Sequence, residues 1–197
     1  MESVNDATEE PVRTLIPVPA HERPRRTRRT ARVLLLDEQN RVLLFTDTDP
    51  GMADSRWWIT PGGGIEEGES ERVAAIREVC EETGLQLSDE QLLGPVMVRH
   101  VVHGYTDVVI DQHDTFFFAR VPAFEISTAG HTEEERITMV SWSWWSAQEL
   151  RRTAEIVWPI GLLDLLDEVA RFDPAGDRST YPIDYGSVEE STVPGVL

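Results

Sequence analysis

Residues 62–85 read GGGIEEGESERVAAIREVCEETGL, and they hold a loop, a helix with both ends marked, and a dense set of carboxylates. Pro61 and the glycines that follow it exclude a regular element at the start. Ser70 suits an N-cap, Glu71 the first turn and Gly84 the position just past the last turn, so the spacing predicts a helix over 71–83. At about 100° per residue, Glu82 falls about 40° to one side of Glu78 and Glu81 about 60° to the other. Val73, Ile76, Val79, Cys80 and Thr83 centre on the opposite face, which reads as one core face and one acidic face.

The acidic face has a cost. Like charges three and four residues apart destabilise a helix by about 0.2–0.5 kcal/mol per pair, and no Lys or Arg follows within the turn to offset them. Glu81 and Glu82 also lie near the C-terminal end, where the helix dipole disfavours anions. An ordinary solvated face is the plain alternative. A divalent cation would remove the cost, and hard carboxylate oxygens suit Mg²⁺ or Mn²⁺; Ca²⁺ would accept the same ligands, but no EF-hand loop spacing is present.

From Gly63 the order is five residues, Glu69, seven residues, Arg77-Glu78-Val79, one residue, Glu81-Glu82, one residue, Gly84-Leu85. This pattern resembles the complete Nudix box of the Nudix hydrolase family, and WWITPGG before it resembles the strand and turn that enter the box. The resemblance is strict over residues 63–85 and looser over about 31–170. It implies an α/β fold, a Nudix-type α/β/α sandwich with a mixed β-sheet, and hydrolysis of a nucleoside diphosphate linked to another moiety, assisted by Mg²⁺ or Mn²⁺. It further implies that Glu78, Glu81, Glu82 and the Gly62 carbonyl are metal ligands, that Glu78 doubles as a base, and that Arg77 orients a catalytic glutamate.

The residues agree with that chemistry. Cleaving a diphosphate requires neutralised phosphate oxygens and a water made acidic by a metal or a carboxylate base. Glu69 reads as structural, pairing with Arg77 or loop amides, and a P-loop is excluded because no Gly-Lys-Ser/Thr follows the glycines. Members of the family often recruit another carboxylate from a loop before a late strand. The stretch HTEEER, residues 131–136, offers one, and Glu134 is preferred over Glu133 and Glu135; an exposed acidic turn is the alternative.

Elsewhere, Arg32–Leu36 and Val42–Thr46 read as a hairpin about the turn Asp37–Asn40, and Trp57–Thr60 as a short strand. Val96–Val102 and Thr115–Val121 read as strands, Ile137–Trp145 as a partly alternating one with Trp142 and Trp144 inside. Ser146-Ala147-Gln148-Glu149 is a capping-box pattern, and Pro159 suits the first turn of a last helix. Residues 1–30 read as an extended Arg-rich arm, 31–172 as the Nudix domain and 173–197 as a polar tail.

The formal charge is −18 and every basic residue is Arg, so an anionic ligand needs a cation or an arginine patch. HERPRRTRRTAR, residues 21–32, is the visible patch; it reads as a solvated arm, with phosphate or partner contact as the alternative and nucleic-acid binding disfavoured. Cys80 alone excludes an internal disulfide and reads as core. No apolar run reaches the roughly 20 residues that span a bilayer, and the acidic N-terminus lacks a secretory pattern, so a cytoplasmic location is expected. His100 and His103 point to opposite faces of a strand, which opposes a zinc cluster with His113. Trp57, Trp58, Tyr105 and Phe116–Phe118 read mainly as core, with a base-stacking role as the alternative. The expected partner is a small nucleoside diphosphate derivative; the sequence leaves the oligomeric state open, and a homodimer is one outcome because dimers are common among the proteins this chain resembles. The competing functions are a nucleotide-binding regulatory module without turnover and, less favoured, a diphosphate isomerase on the same fold.

Overall fold

The structure, a computed structural model, describes residues 13–176 and 179–193. Thirteen elements follow in order: β1 (Arg25–Leu36), β2 (Val42–Asp47), β3 (Trp57–Ile59), β4 (Gly62–Gly64), α1 (Glu71–Thr83), β5 (Leu93–Gly104), β6 (Val109–Arg120), α2 (Glu133–Thr138), β7 (Trp142–Trp145), α3 (Ala147–Leu150), β8 (Ile156–Trp158), α4 (Leu162–Arg171) and β9 (Ile183–Glu189), preceded by a single 3₁₀ turn at Ala20–Glu22. The strands form one mixed sheet in the order β8-β3-β2-β1-β6-β5-β9, with β4 added to β1 and β7 to β2.

Alternation along β1 assigns its apolar half to two cores. Ala31, Val33 and Leu35 pack with Phe45, Phe117 and with Ala74, Ala75 and Val79 of α1. Leu34 and Leu36 pack with Phe116, Phe118 and with Leu162, Leu165 and Val169 of α4. A helix therefore covers each face of the sheet, which is the expected α/β/α sandwich. Alanines on α1 let its backbone come close to the sheet, and that proximity places its glutamates beside β4.

The Arg-rich stretch read as a solvated arm is the first half of β1. Its partner is the polar first half of β6, aligned in parallel from Arg25 opposite Val109 to Thr30 opposite Asp114. Arg28 Nε donates to the Gln112 side chain at 2.6 Å, and the Thr30 hydroxyl to Asp114. Polar side chains that satisfy one another make a strand where no apolar pattern announces one. For the same reason β5 and β6 extend beyond the apolar runs 96–102 and 115–121.

Other expectations also change. Residues 183–189, within the stretch read as a polar tail, form β9 parallel to β5. Glu190, just beyond it, is fully buried and takes two hydrogen bonds from Arg99, at 2.6 and 2.9 Å. The helix over HTEEER displaces the strand expected from Ile137, which starts only at Trp142. Trp142 is exposed rather than internal; Trp144 and Trp145 pack against opposite cores. The last helix starts at Leu162, past Pro159, and the Ile160 N–H in the turn before it donates to the Glu190 carboxylate at 2.7 Å. Among the described residues, no helix is long and apolar enough to cross a membrane.

Candidate active site

Both predicted caps of α1 are present: Ser70 Oγ accepts from Val73 N–H, and Gly84 adopts φ 76° with its N–H on the Cys80 carbonyl. The helix face is not the predicted one. Ala74, Ala75, Glu78, Val79, Glu82 and Thr83 are buried, Val73 is exposed and Cys80 only half-buried. The face that meets the sheet carries two of the three glutamates, because β4 is made of glycines and leaves room for carboxylates there. A Cβ on Gly63 would lie 2.7 Å from the Glu78 carboxylate atoms. Gly62, at φ 125°, donates its N–H to Glu82 Oε2 at 2.9 Å.

Arg77 binds this end of the helix together. Its guanidinium forks onto Glu69 at 3.0 and 2.9 Å, as expected for that pair, and also reaches the Gly64 carbonyl (2.8 Å), Glu78 (2.7 Å) and Glu81 (3.0 Å). It supplies the offset that no residue downstream provides, and these carboxylates raise its own pKa. Burial pushes Glu78 up to about 7, against the pull of Arg77. Burial also raises Glu82 well above the usual carboxylate range, with Glu78 adding to it and Arg32 opposing.

The third carboxylate comes from α2. Oxygens of Glu78, Glu82 and Glu135 all lie within 4.8 Å of one another. The loop before α2 is fastened to the end of α1, where His131 Nε2 meets the Glu82 carbonyl at 3.0 Å and Ser127 N–H donates to the Thr83 carbonyl at 2.9 Å. Thr132 and Glu135 then form a capping box that holds the Glu135 carboxylate at the start of α2. The model of the NUDIX domain matches residues 26–166. The chain belongs to the Nudix hydrolase family.

The chain is similar to an uncharacterized Nudix hydrolase, YvcI, of Bacillus subtilis, at 42% identity over 60 residues, 30% of this chain and 35% of that protein. It is similar to a MutT-like protein of Streptomyces ambofaciens at 28% over 115 residues, 58% of this chain and 64% of that protein. These matches thus span about a third and just under two thirds of the relatives' lengths. Among solved structures, a MutT protein of Bacillus halodurans superposes with a TM-score of 0.51 at 22% identity, over 74% of this chain and 84% of that one. A MutT protein of Methanosarcina mazei Go1 gives 0.50 at 21%, over 76% and 96%. These likenesses show the shared fold.

Within this Nudix chain the remaining sequence-derived residues separate. Glu81 is exposed on the rim, bound to Arg77 and outside the three-carboxylate group. Glu135, not the expected Glu134, lies with Glu78 and Glu82, while burial raises the pKa of Glu134 outside that group; the capping box, legible in the order Thr132…Glu135, is the signal that separates them. His100 and His113 lie opposite each other on β5 and β6, and His103 is buried against the Glu190 carbonyl, so the three do not gather. Sequence reasoning missed Arg32, buried beside the site with NH1 on the Thr60 carbonyl at 3.1 Å, and the half-buried Asp47, whose carboxyl is raised by desolvation.

Proposed function

We propose that this Nudix chain hydrolyses a diphosphate linkage in a nucleoside diphosphate derivative, using Mg²⁺ or Mn²⁺ held by Glu78, Glu82 and Glu135 next to the Gly62 backbone, with Glu81 at the rim of the site. The observation that carries this reading is the convergence of three carboxylates within 4.8 Å, two of them buried. Such a set is costly unless its charge is neutralised, and it consists of the hard oxygen donors these ions take. The residues therefore fit the metal the family implies.

When bound, the metal would neutralise phosphate oxygens and make a water more acidic. The chain supplies the rest. Glu78, whose carboxyl burial lifts to about 7 in the metal-free chain, is the candidate base, and a bound metal would lower that value. Arg77 fixes the Glu78 carboxylate through a 2.7 Å bond and, through Glu69 and Gly64, holds the loop that carries β4. Arg32, buried next to the glutamates, provides local positive charge that a chain of net −18 needs toward an anionic substrate. A cytoplasmic setting and a homodimer belong to the same reading.

The test is hydrolysis of a panel of ADP-ribose, dinucleoside polyphosphates, nucleotide sugars and oxidised nucleoside triphosphates, with Mg²⁺ or Mn²⁺ and with EDTA. Metal-dependent turnover is expected, reduced in Glu82→Gln by at least about tenfold to a hundredfold, the range for disturbed metal sites. No turnover of any compound, while the compounds raise the melting temperature, would favour a ligand-binding module instead.

A further inference from the structure

The last carbonyls of α1, from Cys80 to Thr83, lie beyond the reach of the helix's own N–H groups and must find partners elsewhere. Three of the four do. Gly84 N–H donates to the Cys80 carbonyl at 2.9 Å, Ser127 N–H to the Thr83 carbonyl at 2.9 Å, and His131 Nε2 to the Glu82 carbonyl at 3.0 Å. A carbonyl only accepts, so Nε2 carries the hydrogen. His131 is 3% exposed, with its ring in edge contact with Phe45 at 6.2 Å between centroids. The loop runs so close to the helix here that a Cβ on Gly130 would lie 2.4 Å from the Glu81 carbonyl oxygen.

Glu82 is thereby held twice, its carbonyl by His131 and its carboxylate by Gly62 N–H at 2.9 Å. The residue after His131 is Thr132, the N-cap of α2, and Glu135 closes the capping box three residues later. With only six residues α2 is too short to be stable by itself, so its place is set by what holds its ends. Past its last turn, Ser141 N–H donates to the Thr46 hydroxyl at 3.0 Å and Thr46 N–H to the Ser141 carbonyl at 2.8 Å. At its start, the end nearer Glu135, the tie is His131.

We propose that His131 is a positioning residue: its hydrogen bond to the Glu82 carbonyl holds the first turn of α2 against the end of α1, so that Glu135 stays beside Glu78 and Glu82. This role rests on the metal-binding reading above. One residue, Glu82, then supplies both a carboxylate of the group and the anchor for the loop that delivers the third one.

The test measures Mn²⁺ binding by electron paramagnetic resonance on the full chain, with hydrogen exchange over residues 132–139 alongside. His131→Phe keeps a ring against Phe45 but removes the donor; it weakens Mn²⁺ binding by about tenfold or more, as for other groups that orient ligands from behind, and speeds exchange in α2. His131→Gln, whose side-chain amide nitrogen donates from the place of Nε2, recovers most of both. In a Glu135→Gln background His131→Phe adds no further loss of affinity, because it acts through that carboxylate. Gly130→Ala, which drives the loop off the Glu81 carbonyl without altering a side chain of the site, gives the same weakening and decides the matter if His131→Phe does not fold. Unchanged Mn²⁺ affinity in the variant that folds, even with lower thermal stability, would overturn the assignment, as would a His131→Gln chain as weak as His131→Phe. Absence of Mn²⁺ binding in the parent chain would instead overturn the metal-binding reading itself, and is seen before any variant is made.

Discussion

Gly63 shows how the site depends on an absent side chain. Its backbone is compatible with Ala, but the added methyl would lie 2.7 Å from the Glu78 carboxylate. The flexible end of Glu78 must give way rather than the fold. Gly63→Ala is therefore expected to lower activity and metal affinity by about tenfold or more, with thermal stability changed far less. Glu78 also sets a pH dependence. Its pKa of about 7 means that the Glu78 carboxyl of the metal-free site is protonated below neutrality, so metal binding displaces a proton and affinity rises with pH through this range. For the metal-free protein the sign is opposite: a raised carboxyl binds its proton more tightly folded than unfolded, so stability falls as pH rises from 4.5 to about 7. At about 1.4 kcal/mol per unit the Glu78 share of the decline is on the order of 3 kcal/mol, and Glu78→Gln, compared by urea denaturation, has a shallower curve by that amount. A parent and variant with parallel pH curves would remove Glu78 from that role.

At the scale of elements, charge pairing competes with apolar patterning as a builder of structure. The polar halves of β1 and β6 lie in register, and Arg99 on β5 joins them to the end of the chain through Asp114 at 2.7 Å and Glu190. Burial pushes Asp114 up, but Arg99, Arg32 and the Thr30 hydroxyl outweigh it and hold the carboxyl at about 2. Breaking a buried pair leaves the surviving charge without a partner. Glu190→Ala is expected to cost about 3–5 kcal/mol in urea denaturation, because it leaves the buried Arg99 with Asp114 as its remaining carboxylate partner and frees the Ile160 N–H. A loss below about 1 kcal/mol would show that residues 183–193 are loosely attached. On α1, the caps were readable because they are local, whereas the buried face was not, since apolar residues were expected to face inward and the sheet instead offers glycines to carboxylates.

For the molecule as a whole, a net charge of −18 surrounds the site proposed to take an anionic nucleoside diphosphate derivative. Long-range repulsion slows encounter at low salt and fades as the Debye length falls from about 30 Å at 0.01 M to about 8 Å at 0.15 M. At fixed saturating Mg²⁺, kcat/KM for a nucleoside diphosphate derivative is expected to rise over that range of NaCl, the reverse of a positively steered enzyme. A falling kcat/KM would show that Arg32 and its neighbours dominate the approach path. What the sequence determined by itself was the part governed by neighbours along the chain: the ends of α1, the capping boxes, the Glu69–Arg77 pair and the spacing that puts Glu78, Glu81 and Glu82 on one turn. Only the tertiary structure decided which carboxylates are buried, that Glu135 rather than Glu134 completes the group, and that the arginine stretch is a strand. Each of those outcomes depends on partners far away in sequence, such as Thr30 with Asp114 or Arg99 with Glu190, and the energy of burying a charge is set by the groups that surround it in space.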